Sequence, residues 1–327
     1  MRNLYIFLLI ITTFSSCVKD LPKKNPLDGL PIVSTQGVYE VTAKSFKVHA
    51  RIESYAYEEL IEKGFCWGVD TLPTLSDYST SNTSNYYYSS DADFISTITN
   101  FQQAKVYHIR AYVKTKEKVA YGNDLKIRTN GYSIGLKDID GNQYKTVVIG
   151  EQEWMAENLK VSKFNNGTPI SNISDNSIWL NNKKNALCYY DNNQSNKILY
   201  GNLYNGYVIQ SAKLNKLNVC PVGWHIPSSS DWDVLEGYVR LNDPNKPSEN
   251  GSYAARSLKA DGENLFYFSA LTGGGYRKSD AYFEGINNAG NWWTSDFSMV
   301  EIGYLNWLEG GDNMNLLDAF SIRCIKD

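Results

Sequence analysis

Before residue 130 the apolar positions recur at every second residue. Ser45-Phe46-Lys47-Val48-His49-Ala50-Arg51-Ile52 and Val106-Tyr107-His108-Ile109-Arg110-Ala111-Tyr112-Val113 both alternate, the period of a half-buried strand. Turn-rich segments separate such runs, most clearly Ser79 to Asp93, and no long helical period intervenes. About seven short strands in about 100 residues suit an all-β, two-sheet antiparallel sandwich over residues 31–129. After a joint near Asn130–Ser133 the alternation gives way to short strand-like pieces between long loops. One helix is predicted there. Ser228 is placed to cap it, Asp231 to complete the capping pair, and Trp232, Leu235, Tyr238 and Val239 to share one face. Residues 134–327 therefore read as a loop-rich α+β domain, folding independently of the sandwich.

The longest apolar run, Leu4 to Phe14, has 11 residues. It is too short to span a bilayer and follows the positive Met1-Arg2-Asn3, which is the form of a secretory signal. Composition sharpens the picture in three ways. Net charge is −3 with no Lys/Arg block, which argues against a nucleic-acid partner. Three His and five Cys leave little material for a metal centre, and no cofactor is expected. Of 33 Asn and eight Trp, 26 and seven lie after residue 130, a bias that suits turns and wet binding surfaces.

Phe14-Ser15-Ser16-Cys17 resembles the lipobox of bacterial lipoproteins. The resemblance implies that residues 1–16 are removed, that Cys17 is acylated, and that residues 17–30, with Pro22 and Pro26, form a lipid-anchored linker. At about 0.8 kcal/mol per buried CH₂, two or more chains hold a protein stably. The expected location is the outer membrane or cell surface, facing outward or into the periplasm. The segment from Phe101 to Ala111, with an apolar residue six before Tyr107, resembles the E–F corner and F strand of fibronectin type III domains. Ala120-Tyr121-Gly122-Asn123 and Ile127-Arg128-Thr129 resemble the G strand of such domains in secreted Bacteroidetes proteins, and Lys63 to Gly68 would be strand C.

A longer series begins at Asp138-Ile139-Asp140-Gly141-Asn142 and continues through Thr146 to Leu159. It then runs through Tyr200 to Asn205, Cys220-Pro221-Val222-Gly223-Trp224-His225, Gly273-Gly274-Gly275-Tyr276-Arg277, Trp292-Trp293-Thr294-Ser295 and Phe320-Ser321-Ile322-Arg323-Cys324. In this order the motifs resemble the Fibrobacter succinogenes major paralogous domain. That domain is similar to C-type-lectin-like folds and to the formylglycine-generating enzyme superfamily. Cys188, Cys220 and Cys324 allow three pairings, among which the residues alone do not choose. The resemblance implies Cys220–Cys324, a staple worth about 2–4 kcal/mol.

Catalytic signatures are sparse. The sequence has no HExxH, P-loop or CxxC motif, and the glycine run at 273–275 lacks a following Lys-Ser/Thr. His225 is assigned to packing beside Trp224. No Glu-Pro-Asn or Gln-Pro-Asp sugar motif occurs. The oxygen-rich runs Asp191-Asn192-Asn193-Gln194 and Gly310-Gly311-Asp312-Asn313 offer hard-cation ligands but are better explained as turns. Trp292, Trp293 and Trp307 are the candidate ligand-binding residues. Neighbours on a strand face opposite ways, so one of Trp292 and Trp293 is expected in the core and the other on a surface. The function implied is non-catalytic adhesion, binding an extracellular glycan or protein. The alternatives are a degenerate formylglycine-generating-type enzyme and a structural envelope protein.

Overall fold

The computed structural model describes residues 30–55, 59–86, 92–245, 253–278, 281–303, 307–309 and 314–327. The signal segment, Cys17 and the linker up to residue 29 lie outside them. The chain is β-rich and built from several sheets. Among the described residues no helix is long and apolar enough to cross a membrane.

In the N-terminal region one sheet joins Ile32–Tyr39, Phe46–Ser54 and Asp93–Ile98. A second is centred on Leu60–Gly68 and Val106–Lys114, with Tyr78–Ser79 and Asn82–Tyr86 on the former and Val119–Tyr121 and Leu125–Arg128 on the latter. The alternation seen in the sequence becomes burial: Phe46, Val48, Ala50 and Ile52 from one sheet meet Phe65, Trp67, Tyr107, Ile109 and Ala111 from the other. At the edge Thr35 and Asn123 exchange backbone and side-chain bonds, with Thr35 Oγ1 also accepting from Ala111 N at 2.9 Å. The backbone N–H of Gln102 donates to Tyr107 Oη at 3.0 Å, fixing the corner that precedes its strand. His49 and His108 are satisfied by Asp93 and Asp124.

The C-terminal region holds a five-stranded sheet in the order Gly131–Tyr132, Thr146–Ile149, Gln152–Met155, Ile325–Lys326, Trp224–His225. A longer sheet includes Ala186–Cys188, Leu203–Asn205, Ala319–Phe320, Gly273–Arg277, Ala289–Trp293 and Met299–Gly303, with Tyr282–Ile286 paired to Gly273–Arg277. The predicted helix is Ser229–Asn242. Ser228 caps it, Asp231 closes the capping box, and Trp232, Leu235 and Val239 are buried. Four shorter helices, Asn176–Asn181, Gln194–Tyr200, Gly206–Asn215 and Tyr253–Leu258, carry too few turns to leave a 3.6-residue period and were not expected. Cys220 and Cys324 are bonded, with Cα atoms 6.0 Å apart.

The joint between the regions is packed. Asn130 is fully buried; its Nδ2 donates to Val41 O at 2.7 Å, and its Oδ1 accepts from Gly150 N at 2.9 Å. Gly150 has φ +60°, and a Cβ there would meet the Tyr238 ring at 2.7 Å. Tyr238, from the capped helix, packs against the sandwich core as well as its own. Val41 N also bonds to Asn242 Oδ1, and Ala43 N to Leu265 O. An exposed stack of Tyr132 on Tyr267, with ring centroids 4.9 Å apart, flanks this seam.

Candidate functional site

Two of the three tryptophans singled out in the sequence, Trp292 and Trp293, present no exposed face. Trp292 and Trp293 are both fully buried. They do point to opposite faces of their strand, but both faces are covered. The Trp292 ring lies among Trp232, Val300 and Arg323, with Nε1 donating to Asn158 Oδ1 at 2.8 Å. The Trp293 ring lies against Phe320 and Phe297, with Nε1 donating to Tyr204 O. Trp307 begins the strand Trp307–Glu309, and its side chain lies outside the described residues, as does the run 310–313. His225 is half-buried beside Trp224 on their short strand, with Nδ1 paired to Asp327 at 2.7 Å and Nε2 3.7 Å from Asp231. The glycine run at 273–275 lets neighbours approach. At Gly274, φ +63°, a Cβ would meet Glu284 O at 2.3 Å and the Tyr190 ring at 2.7 Å.

The run Asp191-Asn192 leads to a more informative place. Here the chain makes a short 3₁₀ turn, Tyr190–Asn192, in which Asp191 and Asn192 both have φ 51°. Asp and Asn are the non-glycine residues that best tolerate this left-handed conformation. Asn193 then caps the helix Gln194–Tyr200 by accepting from Ser195 N. The turn forms one wall of a cavity of about 280 Å³. A second wall is Asp175, which caps the helix Asn176–Asn181, and Trp179 within that helix. The third is an aromatic pair directly opposite across two strands, Tyr276 and Phe283, 5.3 Å apart in an edge-to-face arrangement. Tyr282, 52% exposed, stands at the rim. Buried Cys188 lies among the lining residues.

Most polar groups here hold one another. Tyr276 Oη donates to Asn176 Oδ1 at 2.5 Å, and Asn192 Nδ2 to Ser174 O at 2.9 Å. The three bonds accepted by Asp175, from Ser177 N, Ser177 Oγ and Ile178 N, all land on Oδ1. The Ser177 hydroxyl and these helix-end N–H groups hold its carboxyl below the usual carboxylate range. One atom stands apart: Asn192 Oδ1 is buried and has no hydrogen-bond partner among the described residues. The atom has almost no accessible surface, so a ligand or an ordered water that bonds to it must first shift the turn, but it displaces no protein partner in doing so. Burial pushes the Tyr276 hydroxyl and the Cys188 thiol upward, so neither is poised to ionise.

A larger groove, about 660 Å³, runs beside Tyr132, Leu136, Gln143 and Lys145. Its polar groups are mostly engaged: Tyr144 Oη donates to Asp138 at 2.6 Å, and Lys145 N to Glu157 at 3.0 Å. The smaller cavity is the better-defined site. Its Asp191–Asn192 turn was visible as an oxygen-rich run, and Tyr276 belongs to a quoted motif. Asn176, Trp179, Tyr282 and Phe283 left no sequence signal, because only the pairing of distant strands assembles them.

The model of the Fibrobacter succinogenes major domain family matches residues 147–326, a span that contains this cavity. No curated protein matches the chain. Solved structures similar to it include two of the sensor domain of the anti-sigma factor RsgI4 in Pseudobacteroides cellulosolvens. A solution structure has TM-score 0.25 and 12% identity, covering 31% of this chain and 75% of its own. A shorter version has TM-score 0.24 and 12% identity, covering 30% of this chain and 93% of its own.

Proposed function

Since the chain belongs to the Fibrobacter succinogenes major domain family over residues 147–326, we propose that this region is the binding head of a lipid-anchored envelope protein. It captures a glycan or protein ligand at the cell surface without catalysing a reaction. The observation that carries the reading is the cavity between the Asp191–Asn192 turn and the Tyr276–Phe283 pair, with its aromatic walls and unpartnered Asn192 carbonyl. Aromatic rings and short polar side chains are what sugar rings and hydroxyls require. A binding rather than catalytic role is supported by the lack of a histidine in the lining and by a thiol that burial keeps protonated. Among the described residues no three His, Cys, Asp or Glu side chains converge to hold a metal ion.

Residues 31–129 serve in this reading as a fibronectin type III-like spacer, supported by the two-sheet order and the Tyr107 corner. A C-type-lectin-like descent for the head is supported by the pairing of Gln152–Met155 with Ile325–Lys326, which brings the two ends of the region together. The anchor rests on Cys17 alone. Glycan-array screening of the full chain tests the head: binding weakened about tenfold by Asn192→Ala supports the reading, and an array without signal defeats its glycan form. Cys17→Ser should move the protein from the membrane to the soluble fraction; unchanged membrane retention would remove the anchor.

A further inference from the structure

We propose that the Asp191–Asn192 cavity selects a ligand bearing a protonated primary amine on a small body; this rests on the binding reading above. The first ground is charge. Two exposed carboxylates, Asp175 and Asp191, line the cavity, and among the described residues no Lys, Arg or His does. An anionic ligand would meet only like charge, whereas an ammonium would meet complementary charge at short range.

The second ground is the inventory of unused acceptors. Asn192 Oδ1 is buried without a partner among the described residues. The described residues also offer the Asp191 carboxylate no hydrogen bond or ion pair, although the neighbouring carboxylates mostly have one. Asp175 uses Oδ1 for its helix cap, leaving Oδ2 without a protein partner among the described residues. An ammonium carries three N–H donors and no acceptor, so it matches a set made of acceptors.

The third ground is the wall. Trp179, Tyr276 and Phe283 surround the same space, and aromatic rings favour a cation over a neutral group. A volume of about 280 Å³ lies at the small end of ligand pockets, room for one sugar-sized ring or the end of a short chain.

The test is calorimetric titration of the full chain at neutral pH. One arm uses amines from two sources, glucosamine and Nα-acetyl-lysine amide. The other uses the neutral glucose and N-acetylglucosamine and the anionic glucuronate. We expect at least one amine to bind about tenfold more tightly than the neutral sugars, and glucuronate to bind least. The amine arm that wins identifies the source. Asp191→Asn should remove that preference while leaving the melting temperature unchanged, because Asn also tolerates the left-handed backbone. Equal binding of glucose and glucosamine, tightest binding of glucuronate, or an Asp191→Asn protein with its preference intact would overturn the inference. So would Ca²⁺ binding abolished by Asp191→Asn, which would make the site a metal site. If neutral sugars bind equally well and Asn192→Ala weakens them, the amine inference fails and the binding reading stands. If nothing binds, both fail.

Discussion

The two regions of this chain are held together by different means. The sandwich before residue 130 relies on apolar side chains placed by alternation, with Phe46, Val48 and Ala50 meeting Phe65, Ile109 and Ala111. The region after it depends far more on polar side chains tying loops to backbone. Asn158 is the clearest case. Its Oδ1 accepts from Trp292 Nε1, Arg323 Nε and Arg323 Nη2, while its Nδ2 donates to Tyr200 O and Ser321 Oγ. Arg323 is fully buried between Phe268 and Trp292 and also donates to Phe268 O. Burial pulls its guanidinium down to about 9, still protonated at neutral pH. A repeating pattern stabilises regular structure cheaply, but irregular loops need individual bonds, each made by one residue with no substitute nearby.

If this contrast is right, Asn158→Leu should cost the full chain about 3–5 kcal/mol, because it removes five hydrogen bonds at once and leaves the buried Arg323 to the Phe268 and Ser269 carbonyls. A thermal melt reads this directly, and a loss below about 1 kcal/mol would erase the contrast. Replacing both Cys220 and Cys324 by Ala should cost about 2–4 kcal/mol, the usual range for a disulfide and somewhat under the value of about 4.7 kcal/mol that chain entropy alone gives for so long a loop. An unchanged melt would show that the polar bonds suffice without the staple. Acid should act through Glu153, which is 7% exposed and pairs with Lys326 at 2.9 Å and with Arg128 of the sandwich at 3.8 Å. Burial raises its carboxyl, but the Lys326 bond, together with Ser133 and Thr146, more than reverses this and holds it below its ordinary value of 4.5. A lowered folded value means the stabilisation is complete above that ordinary value and lost as pH falls through the folded one. Glu153→Gln should therefore flatten the acid side of the stability curve by about 1–2 kcal/mol; an unaltered acid side would assign the acid response elsewhere. The smallest effect belongs to the sandwich. Tyr107→Phe removes only the bond from Gln102 N, for about 1 kcal/mol. A loss as large as that of Asn158→Leu would mean the two regions are built alike.

The same difference governs what was legible. Phe46 to Ile52 and Val106 to Val113 announce their faces, so the sandwich could be read strand by strand. The capped helix Ser229–Asn242 was legible for the same reason: its period and its Ser228–Asp231 signal coincide. The cavity beside Asp191–Asn192 was not. Tyr276 and Phe283 meet through strand register, and Trp179 through a six-residue helix. Trp292 and Trp293 were misjudged because alternation gives the two faces of a strand but not what covers each. Nor does any local pattern show that the Asn130 amide is buried between Val41 and Gly150.

The placement of Ile325–Lys326 between Gln152–Met155 and Trp224–His225 has a kinetic consequence. A chain made from its N-terminus presents the strand Gln152–Met155 long before its neighbour exists. That neighbour also carries Cys324 into bonding distance of Cys220. Contacts between positions so far apart must pay loop-closure entropy before they return any stabilisation, so they form slowly. The sandwich, whose strands pair within about 100 residues, can close first and hold Val41 and Ala43 ready for the later region to dock upon. The order of folding is thus written into which strand lies between two earlier ones in the sheet.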